Sequence, residues 1–419
     1  MRRVVVTGMG LVTSIGNNVK DTWENLLACK SGIKKIVNFE TSDLSCKIAG
    51  YLSHDPADKI YFDLNKFFEN KEIKRNDRFI LYGLIAAKEA IDQSGILNLN
   101  DESRDMIGVS VGSGIGGLET IYNNSNILDN RGPRKISPFF VPASLINLLS
   151  GQISIKYNFK GPNHSVVTAC ATGSHSIGDA SEIIKRGVAN VMISGGAEAA
   201  VCRLGLAGFC AARSLSTNFN NLPQEASRPW DRDRDGFVMG EGGGVLVLEE
   251  LEHAKKRGAE ILAEVVGYGM SGDAFHITSP SEDGSGGLRA MKSALKMASI
   301  SSDQIDYINA HGTSTQLGDD IELNAIKKLI DENKKIKISS TKSSIGHLLG
   351  AAGSVEAVFS ILSIKNNIVP ATLNLHNPSN SYNLDLVPHK PKEHNTKIAL
   401  SNSFGFGGTN TSVIFKSFD

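Results

Sequence analysis

Cysteine is scarce in this chain of 419 residues, which has only Cys29, Cys46, Cys170, Cys202 and Cys210. The number is odd, no C-x-x-C pair occurs and the spacing is too sparse for a disulfide framework, so reduced thiols and a cytoplasmic location are expected. Neither the cysteines nor the ten histidines show zinc-ligand spacing, so no metal site is expected. Net charge is missing too: 44 basic and 44 acidic side chains cancel, leaving no bulk field to hold nucleic acid or anionic lipid. A long apolar run is also absent. The most apolar stretch, Ile193 to Ala212, is interrupted by Glu198 and Arg203, which excludes a membrane-spanning helix. The start, Arg2-Arg3 followed by Val4-Val5-Val6, is punctuated by Thr7, Gly8, Gly10 and Thr13 and reaches no A-x-A site, so it reads as a buried first strand and not a secretion signal. No Pro/Ser-rich linker or block of like charge divides the chain, so its halves are expected to meet at one interface.

What is present is an alternation of β-rich runs and helical patterns. Val4 to Gly8, Ile107 to Gly112, Val188 to Ser194, Val245 to Glu249, Ile261 to Gly267, Tyr307 to Ala310, Ile336 to Ser339, Ile398 to Ser401 and Ser412 to Phe415 read as strands. Arg78 to Ser94 before Gly95, Ser174 to Arg186 before Gly187, and Ala351 to Asn366 carry helical spacing. The class is layered α/β. A weak duplication is visible: the segment from Ser165 through Cys170 to Ser174, with Gly243 to Glu249 downstream, has the same grammar as Ile338 through His347 to Gly350 with Lys397 to Phe415 downstream. Two such halves would bring a turn bearing Cys170 and a turn bearing His347 to a shared interface.

Cys170 follows Val166-Val167-Thr168 and precedes a helical run through Ile177, Ala180, Ile183 and Ile184, which sets it at a helix N-terminus. Unpaired N–H groups and the helix dipole there favour thiolate, so a lowered pKa is expected. The other four cysteines read as small core residues. His311, in Asn309-Ala-His-Gly-Thr-Ser-Thr315, and His347, in Lys342-Ser-Ser-Ile-Gly-His347, both sit in loops of small residues after short strands. Neutral imidazoles there could donate hydrogen bonds to a developing enolate. His164, His175 and His276 lack such context and read as surface or packing residues. The loop Asn402-Ser-Phe-Gly-Phe-Gly-Gly-Thr-Asn410 can point a backbone N–H at a reacting oxygen. Two rival motifs are weak. Gly112-Ser-Gly-Ile-Gly-Gly117 satisfies G-x-G-x-x-G, but the asparagine-rich segment after it, Asn123 to Gly132, reads as loop and no acidic strand end follows. Asp231-Arg-Asp-Arg-Asp-Gly236 lacks the acid at position twelve of a calcium loop, where Gly242 stands.

Taken with Thr168 to Gly173, Asp235 to Gly242, Ala310 to Thr315, Lys342 to His347 and Asn402 to Asn410, the chain resembles the β-ketoacyl-acyl-carrier-protein synthases of the thiolase superfamily, from Arg3 to the last strand. The resemblance implies a thiolase-like duplicated five-layer αβαβα fold, with halves at 1–257 and 258–419, a homodimer and no cofactor. It implies decarboxylative condensation of malonyl- with acyl-carrier-protein thioesters, through an acyl group on Cys170. His311 and His347 would assist decarboxylation and stabilise the enolate. Lys342, partnered by Glu356, would support the site, with Asp319 and Glu322 in the surrounding polar shell. The N–H groups of Cys170 and Phe406 would form the oxyanion hole, and Phe404, Gly405, Phe406, Gly407 and Gly408 the gate. Ile115, Phe140, Phe209, Thr278, Thr313 and Thr315 would line the substrate path. Lys71, Lys74, Arg75 and Arg213 would dock the acidic acyl carrier protein. No cysteine follows Cys210, where a thiolase needs one, and His347 stands where chain-initiating synthases differ. The resemblance therefore favours the elongating group and its type II member, which extends fatty acids by two carbons; a polyketide ketosynthase, the type I elongating synthase and a non-catalytic carrier-binding subunit are the alternatives.

Overall fold

The computed structural model describes residues 2–58, 60–330, 336–379 and 383–418. Ten strands form one continuous ladder whose order repeats a five-strand pattern. In the first half Val4–Val12 lies antiparallel to Gly242–Glu250, which lies antiparallel to Val191–Glu198; Ile107–Gly112 and the short Asn163–His164 then add in parallel. In the second, Ala263–Gly272, Thr409–Lys416 and Ile398–Gly405 are antiparallel in turn, and Tyr307–Asn309 and Lys337–Ser339 add in parallel. The two runs join where Val5 and Val6 pair with Glu264 and Ala263. The duplication is thus one of strand order and direction.

Helices complete five layers. Arg78–Ser94 covers the first run from outside, packing Phe79, Ile80 and Ile91 with Val109, Ile193 and Val247. Thr172–Lys185 and Ala352–Asn366 pack on each other between the runs, in the core that holds Ile177, Ile184, Val355 and Phe359. Ser285–Ala298 and Gln316–Leu329 cover the second run through Met291, Leu295, Leu323 and Ile326. Ala352–Ile364 is buried on every face, which explains why its residues are apolar or small all round except Glu356.

Two local expectations fail. The segment after Gly117 is a helix, Leu118–Arg131, and not a loop. Its asparagines fold back on it: Asn124 Nδ2 donates to the Thr120 carbonyl and Asn130 Nδ2 to that of Asn126, each one turn earlier, and Gly132 ends it at φ 79°. Val166-Val167-Thr168, β-rich in sequence, form no strand: only Asn163–His164 joins the ladder, and Ser165 Oγ donates to the Val111 carbonyl. Strand ends elsewhere shift by a few residues, as where Val191–Glu198 replaces 188–194.

Candidate active site

Cys170 lies in a 3-10 turn, Ala169–Ala171, that runs into the helix Thr172–Lys185. Thr172 Oγ1 accepts from the Thr168 N–H at 2.9 Å and donates to the Ala169 carbonyl at 2.8 Å, which pinches the elbow. Ala169 is held left-handed at φ 49°, a conformation that a non-glycine residue adopts only when its surroundings impose it. The second half repeats the device, with the turn Leu349–Ala351 and Leu349 at φ 49° before Ala352–Asn366. Gly350 holds there the place that Cys170 holds in the first half, and His347 stands three residues earlier.

The thiol contradicts the expected low pKa. Burial pushes Cys170 up to about 12, against the pull of the Lys342 charge and of the N–H groups of Phe406 and of Cys170 itself; the Glu198 charge adds to the upward push. Desolvation outweighs the helix terminus, so the resting form is the thiol. The two N–H groups meet at the sulfur, where they could also receive a carbonyl oxygen.

His311 lies in the loop two residues after the strand Tyr307–Asn309. Its N–H donates to Glu322 Oε1 at 2.8 Å, that of Gly312 to Glu322 Oε2 at 2.7 Å, and Asn402 Nδ2 to Oε1 at 3.1 Å, so one buried carboxylate fixes the loop. His347 is threaded between Val238 and Gly240: its N–H donates to the Val238 carbonyl at 2.7 Å and its carbonyl accepts from the Gly240 N–H at 2.8 Å. The two rings meet edge to face with centroids 5.2 Å apart. Burial pushes both imidazoles well below their usual range, with the Lys342 charge acting the same way on each and His347 adding to it on His311. Both are therefore neutral near pH 7.

Behind them Lys342 Nζ donates to Glu356 Oε1 at 2.5 Å, with both side chains buried. Burial raises Glu356 to about 7 against the pull of Lys342. Asp319, also raised to about 7 by burial, accepts from the Ser314 and Trp230 N–H groups. Arg234, from the Asp231–Gly236 motif, braces the same loop through the carbonyls of Thr315 and Gln316.

In front of them lies a cavity of about 600 Å³, which Asp319 and Glu322 reach but Lys342, Glu356 and Arg234 do not line. Cys170, His311 and His347 line it, as do Ile115, Phe209, Arg213, Thr278, Thr313, Thr315, Phe404, Gly405, Phe406 and Gly408. Phe404 packs on His311, and Phe406 stands 38% exposed near Phe209, whose ring lies against Phe237. The Phe406 loop is tied to a second loop, the Gly407 N–H donating to the Ile277 carbonyl and the Asp273 N–H to that of Gly408.

Several expected residues lie elsewhere. Phe140 opens the short helix Phe140–Ser144 and does not line the cavity. Lys71, Lys74 and Arg75, expected as docking residues and not as cavity lining, are exposed on the surface: Lys71 pairs with Glu69, and Arg75 lies over the Phe139 ring at 4.6 Å. Glu198, Arg234 and Phe237 belong to the site without any local motif that marks them as such. Glu198 has one signal, the single charged residue of a strand, Val191–Glu198, that is otherwise apolar or small.

Residues 1–254 match the family described as Beta-ketoacyl synthase, N-terminal domain, and residues 262–376 match Beta-ketoacyl synthase, C-terminal domain. The chain is 54% identical to the 3-oxoacyl-[acyl-carrier-protein] synthase 2 of Rhizobium meliloti, over 100% of this chain and 99% of that one. It is 51% identical to the enzyme of the same name from Vibrio cholerae, over 99% of each. Among solved structures, a β-ketoacyl synthase from Burkholderia phymatum superposes over 100% of both chains with TM-score 0.90 at 35% identity. A type II polyketide ketosynthase, in complex with its acyl-carrier protein and bound to the hexaketide, superposes over 100% of both chains with TM-score 0.89 at 32% identity.

Proposed function

The chain belongs to the β-ketoacyl synthase family, and from that premise we propose that it elongates fatty acids by decarboxylative condensation of malonyl- with acyl-carrier-protein thioesters, using Cys170 as nucleophile. The observation that carries the reading is the meeting in one cavity of a buried thiol, two N–H groups aimed at its sulfur and two neutral imidazoles.

In the first half-reaction the Cys170 sulfur attacks the acyl thioester carbonyl. The N–H groups of Cys170 and Phe406 hold the oxyanion, and the carrier's thiol departs with the proton that the cysteine gives up. In the second, the malonyl thioester loses carbon dioxide, and the electrons of the broken C–C bond pass into an enolate. The neutral rings of His311 and His347 donate hydrogen bonds to its oxygen; a pair of imidazolium ions would instead be costly to bury beside Lys342. The enolate carbon then attacks the acyl carbonyl, the C–S bond breaks, and the expelled Cys170 thiolate takes up one proton from solvent to regenerate the resting thiol. One C–C bond forms, and the product is two carbons longer.

Residues 1–257 would supply the nucleophile and 258–419 both histidines, so the site needs both halves. Five free cysteines suit a reducing cytoplasm. Ile121, Leu128, Val141, Leu145 and Val167 are exposed, and Asn163–His164 ends the ladder with an open edge; these features support a homodimer across that face, which a molar mass from light scattering checks. The condensing assignment is tested by incubating the protein with acyl-carrier protein and reading intact mass. An acyl adduct mapping to Cys170, and lost in a folded Cys170→Ala variant, is the expected result; an adduct that persists in that variant overturns it.

A further inference from the structure

Glu198 is completely buried where the strand Val191–Glu198 ends. Its oxygens accept from Ser113 Oγ at 2.7 Å and from the N–H groups of Gly114 at 2.8 Å, Ile115 at 3.3 Å, Gly116 at 3.3 Å and Gly350 at 3.1 Å. Four of these five partners can only donate, so the arrangement suits an ionised carboxylate, even though burial pushes the group upward. Consecutive N–H groups in a glycine-rich turn after a strand make an anion-binding concavity. In Gly112 to Gly117 that concavity is filled from within: the carboxylate sits where a phosphate would sit. Glycine is needed for the fit, since a Cβ on Gly114 would come within 2.7 Å of Glu198 Oε2 and one on Gly350 within 2.1 Å of the Gly114 nitrogen.

The duplicated fold supplies a comparison. The strand Tyr307–Asn309 runs into a turn whose N–H groups, those of His311 and Gly312, are held by Glu322. Each half therefore has a buried carboxylate anchoring the turn after its corresponding strand, with Asp319 holding the Ser314 end of the second one as well. Glu322 serves the loop of a histidine; Glu198 serves the loop of Ile115 and also crosses to Gly350 of the other half. Ile115 and Leu349 both line the cavity beside Cys170.

We propose that Glu198 is a positioning residue that locks the Ile115 wall of the acyl cavity to the Leu349–Gly350 turn of the opposite half, so that one buried charge sets which acyl chains fit beside Cys170. The inference deepens the condensing reading and rests on Cys170 being the acylated thiol.

The test is Glu198→Gln in the full-length enzyme. Glutamine keeps the size but turns an NH₂ group toward amides that need an acceptor. The ratio of kcat/KM for long against short acyl-carrier substrates is expected to change about tenfold, with decarboxylation of malonyl-carrier protein changing less than about threefold. A second readout is the pH dependence of Cys170 alkylation by iodoacetamide. Lys342 and Glu198 are the charges that act on that sulfur, and His311, His347, Arg213, Asp235, Asp273, Asp319 and Glu322 line the same cavity; removing the Glu198 charge, which raises the thiol, moves the curve to lower pH. A folded variant with the wild-type ratio and the wild-type curve overturns the proposal. If Glu198→Gln does not fold, Ser113→Ala, which deletes one donor to Glu198 and the acceptor for the Gly116 N–H, is expected to move the ratio about threefold, and an unchanged ratio overturns it equally. Peptide mapping of the alkylated wild type separates the two levels: an adduct on another cysteine overturns the premise that Cys170 is the nucleophile.

Discussion

At Lys342 and Glu356 the site keeps an ion pair with both side chains about 1% exposed. Removing one charge of such a pair strands the other, at a cost of about 3–5 kcal/mol. Glu356→Gln is therefore expected to lower unfolding stability by an amount on that order, and chemical denaturation that gives a loss below about 1 kcal/mol contradicts the arrangement. The cavity-facing residues were legible in the sequence when their chemistry was local. Cys170 announced itself through the small residues that turn the chain into a helix, and His311 and His347 through similar loops. Glu198 was not legible, because its partners Gly114 and Gly350 lie 84 and 152 positions away. The direction of the thiol's pKa is hidden for the same reason: the helix terminus is encoded nearby, but the burial that outweighs it comes from segments of both halves.

Elements were legible where their ends are chemically marked. Arg78–Ser94 has Asp77 accepting from the Phe79 N–H at its start and left-handed Gly95 at its end, and the sequence gives both boundaries. Leu118–Arg131 carries no such start, and its asparagines satisfy the helix's own carbonyls instead of breaking it. The loop from Gly405 to Gly408 joins two long strands, and its two left-handed glycines differ in a testable way. A Cβ on Gly407, at φ 87°, meets nothing within 4 Å, whereas one on Gly408, at φ 70°, comes within 2.8 Å of Asp273 Cβ. Both substitutions strain the backbone, but only Gly408→Ala also pushes on the Asp273 loop. Gly408→Ala is expected to lower kcat/KM for acyl-carrier protein about tenfold and Gly407→Ala clearly less. Steady-state kinetics showing equal losses would mean that the contact with Asp273 does not govern the gate.

At the scale of the molecule, the halves share a strand order that the sequence hinted at through two matching turns, and their apposition puts the histidines of one half over the cysteine of the other. The charge balance of the whole is zero, so any attraction for an acidic carrier protein must be local. Arg213 lies at the cavity, while Lys74 and Arg75 stand apart from it on the surface. Reversing Lys74 and Arg75 to Glu is expected to raise KM for acyl-carrier protein severalfold, more so at low salt, with activity on a small acyl-thioester mimic nearly unchanged. Equal loss on both substrates would move the cluster's role from docking to the fold. The most direct measurement supplies malonyl-carrier protein, labelled in its free carboxyl group, together with an acyl-carrier protein, and follows released carbon dioxide and β-ketoacyl product in the same reaction. The account predicts both in a one-to-one ratio from the wild type and no β-ketoacyl product from folded Cys170→Ala; product formed at the wild-type rate by that variant would contradict it.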